Sequence, residues 1–351
     1  MSFPAGPLND TTHDVRGLTP QDKVAFLMNG PLSADESPPE RIETRTSHVF
    51  LTQNRAWKLK KPVRLSDVDQ STLAARAHLC REEVRVNQEL ARDVYRGVWP
   101  LVQRPDGGLA LGGKGCVVDW LVEMVRLPSA AMLDQQLTTC AGPRLSEIVG
   151  VGDLLFRFYD TQHGTVDAGA FYLRSLIRES QTSAAHLRDM RQYLGYPLRE
   201  DVLEFAGPAL ESCGAEIMDR ARKGYLTEGH GDLRAKHVCL TDPPVVFDRT
   251  ALCDEARLVD PFAEFNGLGI ECACAGAGWV RSILLVQLSL KMPPPSRALL
   301  TAYGVVSCLT RARLAIDHMR DTAAPPAAKW SAQAGQYQDA AAALVDSYTT
   351  G

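Results

Sequence analysis

His230-Gly231-Asp232-Leu233-Arg234-Ala235-Lys236-His237, followed after a turn by Val245-Val246-Phe247-Asp248, is the stretch on which the fold of this chain is decided. A carboxylate, Asp232, follows a glycine on what reads as a loop. A potential metal ligand, His237, comes five residues later, and a second carboxylate, Asp248, ends an apolar run eleven residues after that. Phosphoryl transfer from a nucleotide needs this set of parts. One Asp orients and deprotonates the acceptor hydroxyl, while a second Asp and a neighbouring ligand hold a divalent ion on the phosphates.

The flanking chain is adequate to build such a site. Its 351 residues suffice for two lobes or one large domain with an ample core. Charged residues make up 23% and hydrophobic ones 45%, ordinary for a globular protein. A formal net charge of −4 gives no general pull toward nucleic acid or an anionic membrane, and neither partner is expected. Met1 to Asp14 is polar with Pro and Gly, so no signal segment is expected there. The apolar run Ile283 to Leu290 is far too short to span a bilayer. Nine cysteines are scattered without a Cys-x-x-Cys, and Cys272-Ala273-Cys274 reads as buried small residues. A reduced, cytoplasmic protein is expected. Oligomeric state leaves no signal in the sequence.

Thr19-Pro20-Gln21-Asp22 reads as a helix start after a loosely packed opening at residues 1 to 18. Beyond the break Ser37-Pro38-Pro39, short strands are expected at Ile42 to Thr46, His48 to Thr52 and Arg55 to Val63. From Ser71 to Val94 the period becomes helical, with Leu73, Arg76, Cys80, Glu83, Asn87 and Leu90 on one side. Two more strands, Val98 to Gln103 and Cys116 to Val125, flank the turn Asp106-Gly107-Gly108. From Met132 helices dominate, interrupted by the strand snippets Val238 to Leu240 and Val245 to Phe247. The fold class expected is α+β with two lobes. An extension with a short helix would occupy 1–40, a nucleotide-binding N-lobe with an antiparallel sheet and one helix 41–128, and a mainly helical C-lobe 129–351.

Together these residues resemble the aminoglycoside phosphotransferase-like branch of the protein-kinase fold, which includes choline and homoserine kinase relatives. The resemblance is nearest to a bacterial "aminoglycoside phosphotransferase family enzyme" subgroup. It rests on Ala56-Trp57-Lys58-Leu59-Lys60-Lys61-Pro62-Val63, Cys80-Arg81-Glu82-Glu83 and the His-Gly-Asp loop, and covers roughly residues 40 to 320. It implies ATP as donor, with Mg²⁺ or Mn²⁺, and a small-molecule hydroxyl as acceptor. Asp232 would be the catalytic base, with His230 orienting the loop, and Asp248 and His237 would be metal ligands. His237 stands where the branch has Asn, so it either ligates the ion or only hydrogen-bonds. Arg249 directly follows the metal Asp and could compete for its charge. Asp260 would be a buried Asp bracing the catalytic loop through backbone N–H groups.

On a strand, Lys58 and Lys60 share a face with Ala56, and one of them must reach the phosphates, Lys58 being the first choice. Glu83 on the inward helical stripe would pair with that lysine. Val122-Glu123-Met124-Val125 resembles the hinge whose backbone near Glu123 and Met124 would pair with adenine. No Gly-rich phosphate loop precedes Lys58, where Thr46-Ser47-His48 occupies the turn. No P-loop motif occurs anywhere. The acceptor is not legible: a polycationic aminoglycoside calls for many carboxylates, and Glu264, Glu271 and Asp254 are too few to decide. The rival reading is a nucleotide-binding pseudokinase, supported by His237 and Arg249. Phosphorylation of protein hydroxyls is a third reading, opposed by the lack of a recognisable activation segment.

Overall fold

The computed structural model describes residues 18–30, 32, 38–65, 68–162, 168–194, 196–252, 257–321 and 327–350. These form two compact units, one of residues up to Cys80 with Gly97–Met124, the other of Arg81–Arg96 with Val125 onward.

In the first unit α1 spans Pro20–Met28. Its start is fixed by a reciprocal cap: Thr19 Oγ accepts from the Asp22 N–H at 3.2 Å, and Asp22 accepts from the Thr19 N–H at 2.8 Å. In chain order the strands β1 (Glu40–Glu43), β2 (Ser47–Leu51) and β3 (Arg55–Lys60) come next, then helix α2 (Leu73–Gln88), which belongs to the second unit from Arg81 on, and strands β4 (Tyr95–Gln103), β5 (Leu109–Leu111) and β6 (Cys116–Val125). They make one six-stranded sheet in the order β1-β2-β3-β6-β4-β5. Alternation along β3 sends Trp57 and Leu59 into a core shared with Leu27 of α1, Phe50 and Leu121, leaving Lys58 and Lys60 on the other face.

Several elements differ from the sequence reading: the first strand lies at Glu40–Glu43 and not Ile42 to Thr46, and the fourth begins at Tyr95 and not Val98. The helix expected to run to Val94 ends at Gln88. The chain after it turns on Asn87, whose carbonyl accepts from the Leu90 and Ala91 N–H groups at 3.2 and 2.7 Å. Strand β3 stops at Lys60, three residues short of Val63, just before Pro62, which lacks a ladder donor. Strand β5 was not anticipated; its three residues are too few for an alternation to be read. Residues 1–17 lie outside the described chain.

The second unit continues with helices α3 (Leu133–Gln136), α4 (Leu145–Thr161), α5 (Gly169–Asp189), α6 (Glu200–Ser212) and α7 (Gly214–Arg222). Four two-residue strands follow, β7 (Thr227–Glu228), β8 (Val238–Cys239), β9 (Val245–Val246) and β10 (Leu258–Val259), pairing as β8 with β9 and β7 with β10. Helices α8 (Pro261–Cys274), α9 (Gly278–Ser289), α10 (Arg297–Asp321) and α11 (Ala327–Thr350) complete it. One cluster packs α4, α8 and α9 beneath the hairpin through Leu155, Val246, Phe262 and Leu284; another packs α5, α6, α10 and α11. The stretch Arg297–His318 of α10 is apolar and long enough to cross a membrane, yet 67% of its apolar window is buried inside this unit, as in a core helix.

Within the first unit, Asp119 on β6 joins both helices to the sheet. Its carboxylate accepts from Arg76 of α2 at 2.8 and 3.1 Å and from Lys23 of α1 at 2.7 Å, with Asp119 and Arg76 both buried. Removing it strands a buried guanidinium and an ammonium without their counter-charge. Asp119→Ala should therefore cost on the order of 3 kcal/mol. Urea unfolding followed by tryptophan fluorescence measures this, and an unchanged midpoint would contradict it.

Candidate active site

The loop from Gly229 to His237 is fixed from beneath by helix α8. Glu264, in the first turn of that helix, accepts from the backbone N–H of His230 at 3.0 Å and of Gly231 at 2.6 Å, while the Tyr159 hydroxyl donates to it at 2.5 Å. Gly231 has φ +81°, a conformation that costs glycine little. A Cβ at Gly229 would lie 2.2 Å from Val259 and 2.7 Å from the Glu264 carboxylate, so a side chain there would displace the brace.

His230 is fully buried. Its Nε2 lies 2.9 Å from the Phe247 carbonyl, which can only accept, so Nε2 carries the proton. Nδ1 is then free to accept the Asp232 N–H at 3.3 Å. One ring thus ties the loop to the strand that delivers Asp248. Asp260 is also fully buried, but its side-chain bonds run elsewhere. It accepts from Arg220 at 2.5 and 3.0 Å, from the Tyr303 hydroxyl at 3.2 Å, and from the Phe262 N–H at 3.1 Å as the N-cap of α8. The backbone N–H groups of the His230–Gly231 loop, which Asp260 was expected to hold, are bonded by Glu264.

Three further residues converge above this brace. His237 Nε2 lies 3.3 Å from an Asp248 carboxylate oxygen, and His237 Nδ1 lies 3.9 Å from an Asp232 carboxylate oxygen. His237 Nδ1 is also 2.9 Å from the Asp232 carbonyl, which fixes the proton on Nδ1 and turns the Nε2 lone pair toward Asp248. Burial pushes the imidazole down to about 4 despite the carboxylates of Asp248 and Asp232, which oppose it. Asp248 has φ +60°, an uncommon conformation for a non-glycine residue, and its N–H donates to the Tyr95 hydroxyl at 3.2 Å. A neutral nitrogen and a carboxylate facing each other suit a divalent ion that takes its other ligands from phosphates and water. Among the described residues no group of three or more His, Cys, Asp or Glu side chains could hold a metal alone.

Two arginines and a glutamate in this region carry functions that the motif alone does not reveal. Arg249, the feared competitor for Asp248, is fully buried and turned away. Its guanidinium donates to the Gly229 carbonyl and to Glu89, each at 2.7 Å, meets Glu228 at 3.1 Å, and lies over the Phe158 ring. Arg311 of α10 donates to the Asp232 carboxylate at 2.7 Å. Burial alone would raise the Asp232 carboxyl, but the charge of Arg311, that of the His237 ring once it protonates at low pH, and that of Arg234 outweigh it and hold the group well below the usual carboxylate range. Glu271 is likewise committed, accepting from Arg234 at 3.2 Å and from the Ala235 N–H at 3.1 Å. Of the acids considered for a cationic acceptor, Glu264 and Glu271 both serve the loop, and Asp254 lies outside the described residues.

In the first unit, Lys58 is half-buried on β3 opposite Val49, and Lys60 is buried opposite Ser47. The Glu123 carboxylate accepts from Trp99 Nε1 at 2.6 Å and pairs with Arg55, and Glu123 and the buried Met124 both lie within β6, an interior strand of the sheet. In the second unit, Glu83 is buried on the stripe that also carries Asn87, whose amide bonds both backbone groups of Arg249.

The His237 geometry has a direct readout. Its depressed titration means that the unfolded chain takes up a proton below about 6.5 and the folded ring does not until about 4. The stabilisation is full above that upper value and is lost as pH falls toward the lower one. In nitrogen NMR of the metal-free protein at pH 6, His237 should be the neutral Nδ1–H tautomer; a protonated ring would refute the arrangement.

No family model matches the chain. Proteins of Mycobacterium tuberculosis and Mycobacterium bovis, both described as uncharacterised, are 25% identical to it over 265 residues, 72% of this chain and 47% of theirs. The chain thus spans about half the length of the curated relatives it matches. Among solved structures, a choline/ethanolamine kinase family protein from Mesorhizobium loti has a TM-score of 0.48 at 16% identity, covering 92% of this chain and 94% of that one. A thermostable mutant of aminoglycoside phosphotransferase APH(4)-Ia has a TM-score of 0.50 at 12% identity, covering 92% of this chain and 98% of that one. The sheet-plus-helices architecture and this likeness show that the chain has the kinase-like α+β fold of the aminoglycoside phosphotransferases.

Proposed function

We propose that this protein is an ATP-dependent phosphotransferase that moves the γ-phosphoryl group to a hydroxyl of a small molecule. The observation that carries the reading is the convergence of the Asp232 carboxylate, the His237 Nε2 lone pair and the Asp248 carboxylate on one braced loop. Asp232 accepts the hydrogen bond of the acceptor hydroxyl and orients its oxygen. That oxygen bonds to the γ-phosphorus as the bond to the β–γ bridging oxygen breaks and ADP leaves with the electron pair. The hydroxyl proton passes to Asp232 and then to solvent. A carboxylate held so acidic is a weak base, so its contribution is mainly alignment, which suits a loose transition state needing little activation of the nucleophile.

His237 and Asp248 would hold Mg²⁺ or Mn²⁺, which when bound supplies positive charge on the β- and γ-oxygens. The imidazole donor fits Mn²⁺ better than Mg²⁺. In this reading Lys58, with Lys60 as the alternative, grips the phosphates, and Glu83 is its counter-charge. The backbone near Glu123 and Met124 takes the adenine.

Arg311 favours a second reading, a nucleotide-binding protein with little turnover, because it already occupies one Asp232 oxygen. ATP turnover with a panel of hydroxyl metabolites separates the two. Asp232→Asn keeps the shape and removes the proton acceptor, so turnover should fall at least ~10²-fold with little change in ATP binding. Equal turnover in the variant would remove Asp232 from the mechanism. In the wild type, the kcat/KM profile should show no acid limb from Asp232 between about pH 5 and 8. Arg311→Met leaves burial acting without its opposing charge, so activity should then fall as pH drops within that range. A profile the same for both proteins would contradict this assignment.

A further inference from the structure

We infer that the phosphoryl acceptor is an anion, a small hydroxyl compound bearing a carboxylate or phosphate, held by a cationic cavity beside Asp232. The inference rests on the phosphotransferase reading for the reaction but on separate observations for the binding.

A cavity of about 250 Å³ lies wholly within the second unit, between the catalytic loop and helices α10 and α11. Arg311, which also holds Asp232, lines it together with Arg234 and Lys236 of the loop and Lys329 of α11. Among the described residues, two carboxylates, Asp134 and Glu271, share that lining. Glu271 is already used by Arg234 and the Ala235 N–H, and the Tyr337 hydroxyl points to it at 3.5 Å. Asp134 accepts from the backbone and side-chain amides of Gln135. Among the described residues, Lys236 and Lys329 enter no ion pair.

Like charges concentrated in a concave, partly desolvated site repel one another until an anion enters. Guanidinium groups match carboxylate and phosphate oxygens in geometry as well as charge. A polycationic or quaternary-ammonium acceptor would meet the wrong sign here, and Glu264, the other carboxylate near the loop, is committed to backbone N–H groups and Tyr159. The volume is below the usual range for drug-sized ligands, about 300 to 1,000 Å³, and fits a small metabolite. Trp330, beside His318 with ring centroids 4.6 Å apart, closes the far end with an aromatic surface. An acceptor whose anionic group lies among Arg234, Lys236 and Lys329 has Arg311 leading directly to Asp232, where its hydroxyl must go.

The test is calorimetry on the full chain without nucleotide, using glycerol 3-phosphate, glycerate and inorganic phosphate, with glycerol and choline as neutral and cationic counterparts. At least one anion should bind, weaken with added salt, and weaken about tenfold or more in Lys236→Gln/Lys329→Gln, equivalent to the loss of about 1.4 kcal/mol. The Lys236→Arg/Lys329→Arg protein should restore it. Failure of all three anions to bind, binding indifferent to both lysines, or preferential binding of choline would overturn the inference. ADP release measured in parallel keeps the two readings apart. Lysine-dependent anion binding without any phosphoryl transfer upholds the cavity and defeats the phosphotransferase. Transfer to an amino alcohol without anion binding does the reverse.

Discussion

Two carboxylates crowded against one imidazole govern this protein's central loop. Asp232 lies 3.9 Å from the protonated Nδ1 of His237, and Asp248 lies 3.3 Å from the Nε2 that carries the lone pair. Left alone, such a set would protonate or spread apart. The surrounding structure prevents both. Arg311 holds one carboxylate ionised, burial keeps His237 neutral, and the Asp232 carbonyl fixes which nitrogen carries the proton. The backbone resists spreading because Glu264 binds consecutive N–H groups below and the His230 ring spans from Asp232 to Phe247. Electrostatic strain of this kind is characteristic of sites preorganised for a charged ligand.

The loop itself was legible because its chemistry is local in sequence. Asp232, His237 and Asp248 fall within one short hairpin, so their spacing alone brings them together. The supports were not legible. Arg311 lies 79 residues from Asp232, Glu264 34 residues from His230, and Glu271 36 residues from Ala235. Each sits on a helix whose periodicity marks an inward face without saying what that face meets. Asp260 illustrates the difference: the sequence identifies a buried Asp near the start of a helix, but the side chains around it decide that it holds Arg220 and caps α8 instead of gripping the loop.

Arg249 shows the same limit from the other side. Adjacency to Asp248 made it look like a competitor for the metal ligand. The left-handed turn at Asp248 separates the two side chains, and the guanidinium is stabilised by Glu89, Glu228 and the Phe158 ring. The kinase-like α+β class was readable from the change of period between the strand-rich first part and the helical remainder, whereas the end of α2 was not. Near its end Asn87 bonds both backbone groups of Arg249, a long-range contact, and no glycine or proline signals the stop.

The account depends on His237 Nε2 and the Asp248 carboxylate acting together as protein donors to a nucleotide-bound divalent ion. Pulsed electron paramagnetic resonance of the protein loaded with Mn²⁺ and ATP addresses that directly, because a ligated imidazole nitrogen modulates the manganese echo. The account predicts nitrogen modulation in the wild type that disappears in His237→Asn, with Mn²⁺–ATP no longer retained in Asp248→Ala. Tight Mn²⁺–ATP binding with no imidazole nitrogen at the metal, or binding that survives the loss of Asp248, would contradict it.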